Sequence, residues 1–307
     1  MRALIVTSMY PRPDRPGLGS FVRDQVAALS AMSDLDLELF TFRSAGARSY
    51  VAAVRDLRQH YRGVRFDVVH AHFGLTAWPA LGVPATVHGA TLHGTDLHHP
   101  RSRAITLGAL PFLDLVGPVS DELTARIPRR LVRGHLEVLP TGVATDRFHP
   151  IPRSEARRSL GLDQGQRYLL FPSDPARPEK RFDRAQSAAG QVQLLVLKDV
   201  DPELVPLWIN AADAVLVPSE REGFGLAVLE ALACNVPVLA TPVGVAPAAL
   251  AAVAGTLCAP FDAEIWREAL SQALADPDPR VEGRDRAEQY SAQAMAARLL
   301  SAWRSAL

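Results

Sequence analysis

Short apolar runs alternate with amphipathic stretches along the whole chain, in two successive series. Each run is bounded by turn residues and is rich in branched apolar side chains, which is typical of strands buried in a parallel sheet. The runs that we predict to be strands are 3–8, 35–42, 67–73, 84–89, 115–120 and 136–141 in the first series, and 168–171, 193–197, 214–218, 237–242 and 256–260 in the second. This alternation predicts an α/β fold with doubly wound parallel sheets that carry helices on both faces.

The stretches between these runs have the period of helices. We predict helices over 20–31, 50–61, a stretch after Pro100, 121–132, 155–161, 181–189, 206–211, 223–234, 247–254, 262–275 and 291–306. The 307 residues and a proline-containing break at 148–152 favour two domains, 1–150 and 151–290. We expect 291–307 to form a C-terminal helix that packs back towards the N-terminal domain. Ligands of such sheets bind where strands end, so functional residues are expected in the loops that follow strands.

Composition and charge exclude several classes of protein. Lys+Arg and Asp+Glu are 33 each, so the chain lacks the positive charge of a general nucleic-acid binder, and no nucleic-acid partner is expected. A hydrophobic content of 48% argues against disorder. Cys234 and Cys258 have no disulfide or zinc-site spacing, which favours a reducing compartment. No secretory segment and no run of 18 apolar residues is visible, so we expect a cytoplasmic protein that does not span the membrane.

The most specific pattern in the sequence is the segment 218–234, PSEREGFGLAVLEALAC. It follows a predicted strand and turns through glycines into a predicted helix, where backbone N–H groups and the helix N-terminus favour an anion. Glu222 and Glu230 are eight residues apart, so we expect them on about the same side, with Glu222 at the mouth. A carboxylate at Glu230, among apolar neighbours, needs a polar partner such as ribose hydroxyls, an arginine or a helix cap.

This segment resembles the E-x7-E signature of retaining glycosyltransferases of the GT-B type, family 4. Further segments that resemble the same family are 66–72, 92–96, 119–120, 138–143, 211–219 and 233–244. The resemblance therefore covers both halves, and it is closest to a short subgroup associated with cell-surface polysaccharide synthesis. It implies two Rossmann-like domains that face a cleft. It also implies transfer of a sugar, with retention, from a nucleotide-diphosphate sugar to a hydroxyl of a glycan, a lipid-linked molecule or a small molecule.

The resemblance assigns roles to residues of the second half. Glu230 matches the residue that contacts the ribose hydroxyls, and Glu222 matches the one that contacts the donor sugar. Backbone amides that would face the sugar or the diphosphate belong to Gly223, Phe224, Gly225 and Leu226. Lys180, one of only two lysines in the chain, matches the family lysine at the diphosphate.

The partner arginine of that lysine departs from the family pattern. Its usual place, five residues before the lysine, is occupied by Pro175. Arg177 is the preferred substitute, with Arg181 as the alternative.

The first half contributes the other expected site residues. His93 resembles the family histidine that reaches sugar or acceptor hydroxyls, so His93, Glu222 and Lys180 are the candidate catalytic residues. Asp96 is expected to contact the acceptor. Gly17 and Gly19 resemble the glycine-containing loop that approaches the diphosphate, with Gly19 as a donor-binding residue and Gly17 on the acceptor side. No G-x-G-x-x-G is present, which argues against an oxidoreductase.

Several features leave alternatives open. His70 and His72 lie two residues apart on one strand, but no carboxylate or cysteine stands at the spacing of a metal site. We therefore expect neither a metal nor a cofactor besides the nucleotide sugar. The basic cluster 126–133 is either a solvated helix end or a contact for anionic lipid at the inner face of the membrane. Only 41 residues separate Lys180 from Glu222, which keeps open a non-catalytic nucleotide-sugar-binding protein. A GT-B nucleotide-sugar epimerase is the remaining alternative, against which the continuous motif argues.

Overall fold

A computed structural model describes residues 1–307 as a regular alternation of strands and helices. The strands are β1 (Arg2–Thr7), β2 (Asp36–Thr41), β3 (Phe66–His72), β4 (Ala85–Leu92), β5 (Leu115–Pro118), β6 (His135–Leu136), β7 (Tyr168–Phe171), β8 (Gln193–Val196), β9 (Ala214–Val217), β10 (Val238–Ala240) and β11 (Leu257–Cys258). Each predicted strand overlaps one of these, because buried parallel strands have a strong local signature of branched apolar residues between turns.

Fourteen α-helices separate or follow these strands. They are α1 (Ser20–Ser30), α2 (Ala47–His60), α3 (Ala77–Ala80), α4 (Thr95–His98), α5 (Pro100–Ala109), α6 (Asp121–Ala125), α7 (Arg153–Leu160), α8 (Phe182–Ala189), α9 (Val205–Ala211), α10 (Leu226–Ala233), α11 (Ala246–Leu250), α12 (Ala263–Ala275), α13 (Arg284–Glu288) and α14 (Ala292–Ala306). Short 3-10 turns occur at Gly74–Thr76, Leu110–Phe112, Arg129–Leu131 and Pro178–Lys180. No helix is both long and apolar enough to cross a membrane.

One predicted helix is divided in the structure, and three helices were not predicted. The single helix predicted over 121–132 is instead α6 followed by the 3-10 turn Arg129–Leu131. Pro128 lies between them, and proline has no N–H to continue a helix. The helices α3, α4 and α13 were not predicted, because four- or five-residue helices are too short to show a helical period.

Each of two compact units is built around one parallel sheet. The first unit comprises Met1–Gly142 and Ala292–Leu307, and its sheet has the strand order β2-β1-β3-β4-β5-β6. The second unit, Val143–Ser291, has the order β11-β10-β9-β7-β8. All pairings within the two sheets are parallel, which confirms the predicted α/β fold with two doubly wound sheets.

Both sheets reverse the direction of winding beside their first strand, and this sets where ligands are expected. The reversal falls between β1 and β3 in the first sheet and between β7 and β9 in the second. At such a switch point the loops that follow the two central strands leave towards opposite faces, which opens a crevice at the carboxyl ends.

The boundary between the units falls after Gly142, not at residue 150 as expected from the sequence. The cause is a set of hydrogen bonds that hold the following residues in the second unit. Val143 N–H donates to the carbonyl of Tyr290 at 2.8 Å, and the Asn210 amide donates to the carbonyl of His149 at 3.1 Å. Helix α14 belongs to the first unit, where its buried residues Leu299 and Trp303 are part of the hydrophobic core.

A buried carboxylate fixes the central strands of the second unit. Asp213, which is 0% exposed, lies directly before β9. It accepts from the backbone N–H of Tyr168 at 2.7 Å and from Arg157 at 3.0 Å, and it also pairs with Arg153 and Arg167. Because Tyr168 is the first residue of β7, this network ties together the two strands whose ends form the switch point.

Candidate active site

Two loops meet at the switch point of the second sheet. One follows β7 and covers 172–181, and the other follows β9 and covers 218–225. The strands β7 and β9 are direct neighbours, so their carboxyl ends place these loops side by side. Backbone N–H of Glu220 donates to the carbonyl of Glu179 at 2.8 Å, which links the two loops directly.

The centre of this site is an ion pair between the two loops. Lys180 Nζ lies 2.7 Å from Oε1 and 2.6 Å from Oε2 of Glu222. Their side chains are only 13% and 9% exposed. Charge-assisted hydrogen bonds of this length are among the stronger ones in proteins, and partial burial limits their screening by water. The lysine and the glutamate that the sequence predicted as catalytic are thus brought together.

A third hydrogen bond holds the carboxylate of Glu222 in this position. The hydroxyl of Ser219, which is 1% exposed, donates to Glu222 Oε1 at 2.7 Å. The hydroxyl of Thr241 in turn bonds to the carbonyl of Ser219. Sequence reasoning missed both residues as parts of the site. Ser219 lies three residues before Glu222 in the same turn, and this spacing is the sequence signal that could have indicated their contact.

The glycine turn before α10 has the backbone that its sequence requires. Gly225 has φ +96° and precedes the helix, which begins at Leu226 and not at Gly223 as predicted. Gly244 approaches this turn so closely that a Cβ atom there would lie 2.3 Å from the carbonyl oxygen of Phe224. Its φ of +59° is also in the left-handed region. The N-terminus of α10, with its partial positive charge, therefore lies beside Glu222.

Glu230 lies on α10 and is partly buried. Because the helix begins only at Leu226, Glu222 belongs to the turn and not to the helix, so the two glutamates are not two helical turns apart on one continuous helix.

One turn beyond Glu230, burial raises the pKa of the Cys234 thiol to about 12, and the negative charge of Glu230 contributes. Cys234 is therefore an inert core thiol.

The two candidate arginines, Arg177 and Arg181, each pair with a carboxylate two residues further along the chain. Arg177 donates to Glu179 Oε1 at 2.9 and 2.7 Å, and Arg181 donates to the two carboxylate oxygens of Asp183 at 2.9 and 2.7 Å. Neither contacts Glu222. The structure therefore brings Lys180 to the site centre and leaves Arg177 and Arg181 in local ion pairs.

In the first unit, the expected glycine loop follows β1. Gly19 has φ +65°, and a Cβ atom there would lie 2.2 Å from the carbonyl oxygen of Met9. Only glycine fits this position, which is the residue directly before α1. Gly17 is exposed on the same loop.

The carboxylate of Asp96 is held within its own loop. It is 0% exposed, and its carboxylate accepts from the backbone N–H groups of Gly74, His93 and Gly94 at 2.7 to 3.2 Å. Burial raises the pKa of Asp96, although these three amide hydrogen bonds oppose the rise. Asp96 therefore holds the backbone of His93 in place, and its expected contact with the acceptor stays a prediction.

His93 stands at the carboxyl end of β4 beside other aromatic rings. Its Nε2 lies 3.0 Å from Nδ1 of His72, and the ring of Phe21 lies 4.8 Å from its own, centroid to centroid. Burial lowers the pKa of His93 well below its ordinary value, and burial lowers that of His72 to about 3. Both imidazoles are neutral at neutral pH. No group of three or more His, Cys, Asp or Glu residues is arranged to hold a metal ion.

Models of two protein families match the chain. "Glycosyl transferases group 1" matches residues 156–294, and "Glycosyltransferase Family 4" matches residues 25–147. Among curated proteins, the D-inositol 3-phosphate glycosyltransferase of Actinosynnema mirum is 30% identical over 295 residues, which cover 76% of this chain and 70% of that protein. The enzyme of the same name from Thermobispora bispora is 30% identical and covers 75% and 67%.

Solved structures share the fold at low identity. Sucrose-phosphate synthase from Thermosynechococcus elongatus superposes with a TM-score of 0.76 at 18% identity, and the match covers 99% of each chain. Anabaena HepE in complex with UDP and glucose superposes with a TM-score of 0.70 at 14% identity, over 98% of this chain and 99% of that one. From these family matches and identities, the chain belongs to the group 1 glycosyltransferases of family 4.

Proposed function

We propose that this glycosyltransferase moves a sugar, with retention of anomeric configuration, from a nucleotide-diphosphate sugar to a hydroxyl acceptor. The observation that carries the proposal is the Lys180–Glu222 pair, held by Ser219 at the switch point of the second sheet. Such a donor has a diphosphate, which a cation can bind, next to a sugar, whose hydroxyls a carboxylate can bind. The pair supplies these two groups side by side. HepE, a structural neighbour, was solved with UDP and glucose bound, which is consistent with this donor class.

The proposed reaction breaks the bond between the anomeric carbon and the diphosphate oxygen. Negative charge then grows on the leaving diphosphate, where Lys180 and the N-terminus of α10 supply positive charge that is already in place. The acceptor oxygen forms the new bond on the same face, and its proton passes to the departing phosphate oxygen. No cofactor or metal takes part in this scheme, so transfer is expected to continue in EDTA.

The other donor contacts are assigned by the same proposal. Glu230 on α10 binds the ribose hydroxyls, and Glu222 binds hydroxyls of the sugar. The backbone amides that contact the sugar or the diphosphate are those of Gly19, Gly223, Phe224, Gly225 and Leu226. His93 of the first unit contacts sugar or acceptor hydroxyls. The diphosphate arginine is Arg177, which must leave its ion pair with Glu179 to take this role.

Two measurements test the donor and the reaction. A thermal-shift screen of UDP-, GDP- and TDP-sugars should identify one donor that raises the melting temperature. That donor should then be consumed in the presence of an acceptor, for which D-inositol 3-phosphate, the compound in the names of the relatives, is the first choice. Binding without any transfer or hydrolysis would favour a non-catalytic binding protein, and acceptor-independent conversion to an isomeric nucleotide sugar would favour an epimerase.

The proposed binding of the ribose by Glu230 can be tested with one variant and a control variant. Glu230→Ala should abolish nucleotide binding while the unfolding temperature changes little. Glu220→Ala removes an exposed carboxylate and keeps the backbone hydrogen bond of this residue to Glu179, so this variant should bind the nucleotide as wild type does. Unchanged nucleotide affinity in Glu230→Ala would refute the assignment.

The proposed acceptor is a glycan, a lipid-linked molecule or a small molecule, and for a lipid-linked acceptor we propose peripheral contact with an anionic membrane. Arg129, Arg130 and Arg133 are exposed, while Arg126 pairs with Glu122 at 3.4 Å. Exposed arginines are attracted to anionic lipid headgroups. Replacing the three exposed arginines with alanine should reduce sedimentation with vesicles of phosphatidylglycerol, and equal sedimentation would refute the contact.

A further inference from the structure

Three buried side chains of the first unit, one each from α14, β3 and β4, form a chain of hydrogen bonds. Trp303 Nε1 donates to Nδ1 of His70 at 3.1 Å, and His70 Nε2 lies 2.8 Å from the hydroxyl of Thr91. An indole N–H can only donate, so Nδ1 of His70 must accept. The proton of His70 is therefore on Nε2, and this imidazole has both nitrogens in use.

The next histidine along β3 makes a different contact. Nδ1 of His72 lies 3.0 Å from Nε2 of His93, with the two rings inclined by 23°. One proton serves this hydrogen bond, and it can belong to either imidazole. If it belongs to His72, then His93 accepts at Nε2 and carries its own proton on Nδ1. If it belongs to His93, the second nitrogen of His72, Nε2, carries an N–H.

The surroundings of His72 distinguish these two arrangements. Its Nε2 atom is buried and has no hydrogen-bond partner. In the first arrangement this atom is a lone pair without a donor, and in the second it is an N–H without an acceptor. Buried N–H groups without an acceptor are the rarer defect in proteins. The first arrangement is therefore favoured.

We propose that His72 is a positioning residue that fixes His93 as the tautomer with its proton on Nδ1. This inference rests on the proposed function for its consequence in catalysis. Nδ1 of His93 makes no hydrogen bond within the chain, so its N–H is available to a ligand oxygen. His93 then acts in sugar transfer as a hydrogen-bond donor to a hydroxyl or phosphate oxygen. It does not act as a base, because Nε2, its only lone pair, is occupied by His72.

The direct test is the tautomer of His93 in the intact, ligand-free protein. With 15N-labelled histidine, two-bond 1H–15N correlations at neutral pH should show His93 with a protonated Nδ1 and a bare Nε2. The opposite pattern would overturn the proposal without any variant. This measurement needs no activity, so it separates failure of this inference from failure of the proposed function.

Variants extend the test to the role of His72. His72→Asn places an amide N–H near the position of Nδ1 and should keep the His93 tautomer, whereas His72→Leu should release it to a mixture with the Nε2–H form. In the transfer assay, His72→Leu should lower kcat about tenfold, the value of one hydrogen bond, with little change in KM for the donor. His72→Asn should recover most of that loss. Thr91→Val, which removes the partner of His70 only, should leave the His93 tautomer unchanged.

An unchanged His93 tautomer in His72→Leu would overturn the positioning role. So would a loss of kcat in His72→Asn as large as that in His72→Leu, because an effect of packing alone would not be rescued by the amide N–H.

Discussion

The buried imidazole of His72 should make the first unit lose stability in mild acid. Burial holds the pKa of His72 at about 3, while an unfolded chain has a histidine pKa of about 6.5. Below pH 6.5 the unfolded state therefore binds a proton that the folded state does not. The free energy of unfolding must then fall as pH falls, by linkage, until the pH approaches the folded pKa.

The magnitude follows from these two pKa values. Between pH 7 and pH 5 the unfolded histidine changes from mostly neutral to almost fully protonated, and the folded His72 stays neutral. Linkage then gives a loss of about 2 kcal/mol for this residue alone. His70 and His93, whose pKa values burial also lowers, add to the loss in the same direction.

The assay isolates the share of His72 by comparing wild type with His72→Asn. Trp78 and Trp303 lie in the first unit, while Trp208 and Trp266 lie in the second, so replacing the latter two with phenylalanine makes tryptophan fluorescence report on the first unit alone. Urea unfolding at pH 7 and pH 5 then gives the loss for each protein. His72→Asn should lose about 2 kcal/mol less than wild type.

The exposed His60 provides the control for this experiment. His60→Gln removes an imidazole that is exposed at the end of α2, so it should lose as much stability as wild type between the two pH values. Equal losses in wild type and His72→Asn would refute the reasoning, because they would mean that His72 is as free to bind a proton in the folded chain as in the unfolded one.

Three further substitutions test the second unit. Ser219→Ala removes the hydroxyl that holds Glu222 and should lower kcat about tenfold, with an unchanged unfolding temperature; an unchanged kcat would contradict the role. Asp213→Asn leaves the buried guanidinium of Arg157 without its counter-charge and should cost about 3–5 kcal/mol in urea unfolding of this unit. Gly244→Ala forces a Cβ atom to 2.3 Å from a carbonyl oxygen and should weaken donor binding in a thermal-shift titration. Gly161→Ala, at φ +67° with nothing within 4 Å, controls for backbone strain and should leave donor binding intact.

The strands could be predicted from the sequence because their signal is local. A run such as 214–217, AVLV, between polar and turn residues can be recognised as a strand without knowing which strands pair with it. The order of strands is not local, however. No residue of β7 or β9 indicates that these strands pair with each other while β8 is placed at the edge. The boundary after Gly142 was missed for the same reason, since it depends on hydrogen bonds between Val143 and Tyr290.

The candidate site shows the same division between local and distant information. Glu222, Glu230 and Lys180 are predicted as site residues because their motifs resemble a family. The contact between Lys180 and Glu222, 42 residues apart, is produced by the strand order and was not predicted. For Asp96, the sequence shows a carboxylate near His93, but it does not show the three backbone amides that surround this carboxylate.

The Lys180–Glu222 pair also limits which ligand can complete the proposed site. A diphosphate that takes Lys180 removes two charge-assisted hydrogen bonds from Glu222, whose carboxylate then keeps only the Ser219 hydroxyl. A partly buried carboxylate that loses its partners costs free energy. The favourable contact of a phosphate group with Lys180 is therefore offset by the loss of hydrogen bonds at Glu222. A sugar attached to that diphosphate carries hydroxyl donors that can replace the lysine at Glu222. In the proposed function, the site is therefore satisfied by the two parts of a nucleotide sugar together and not by either part alone.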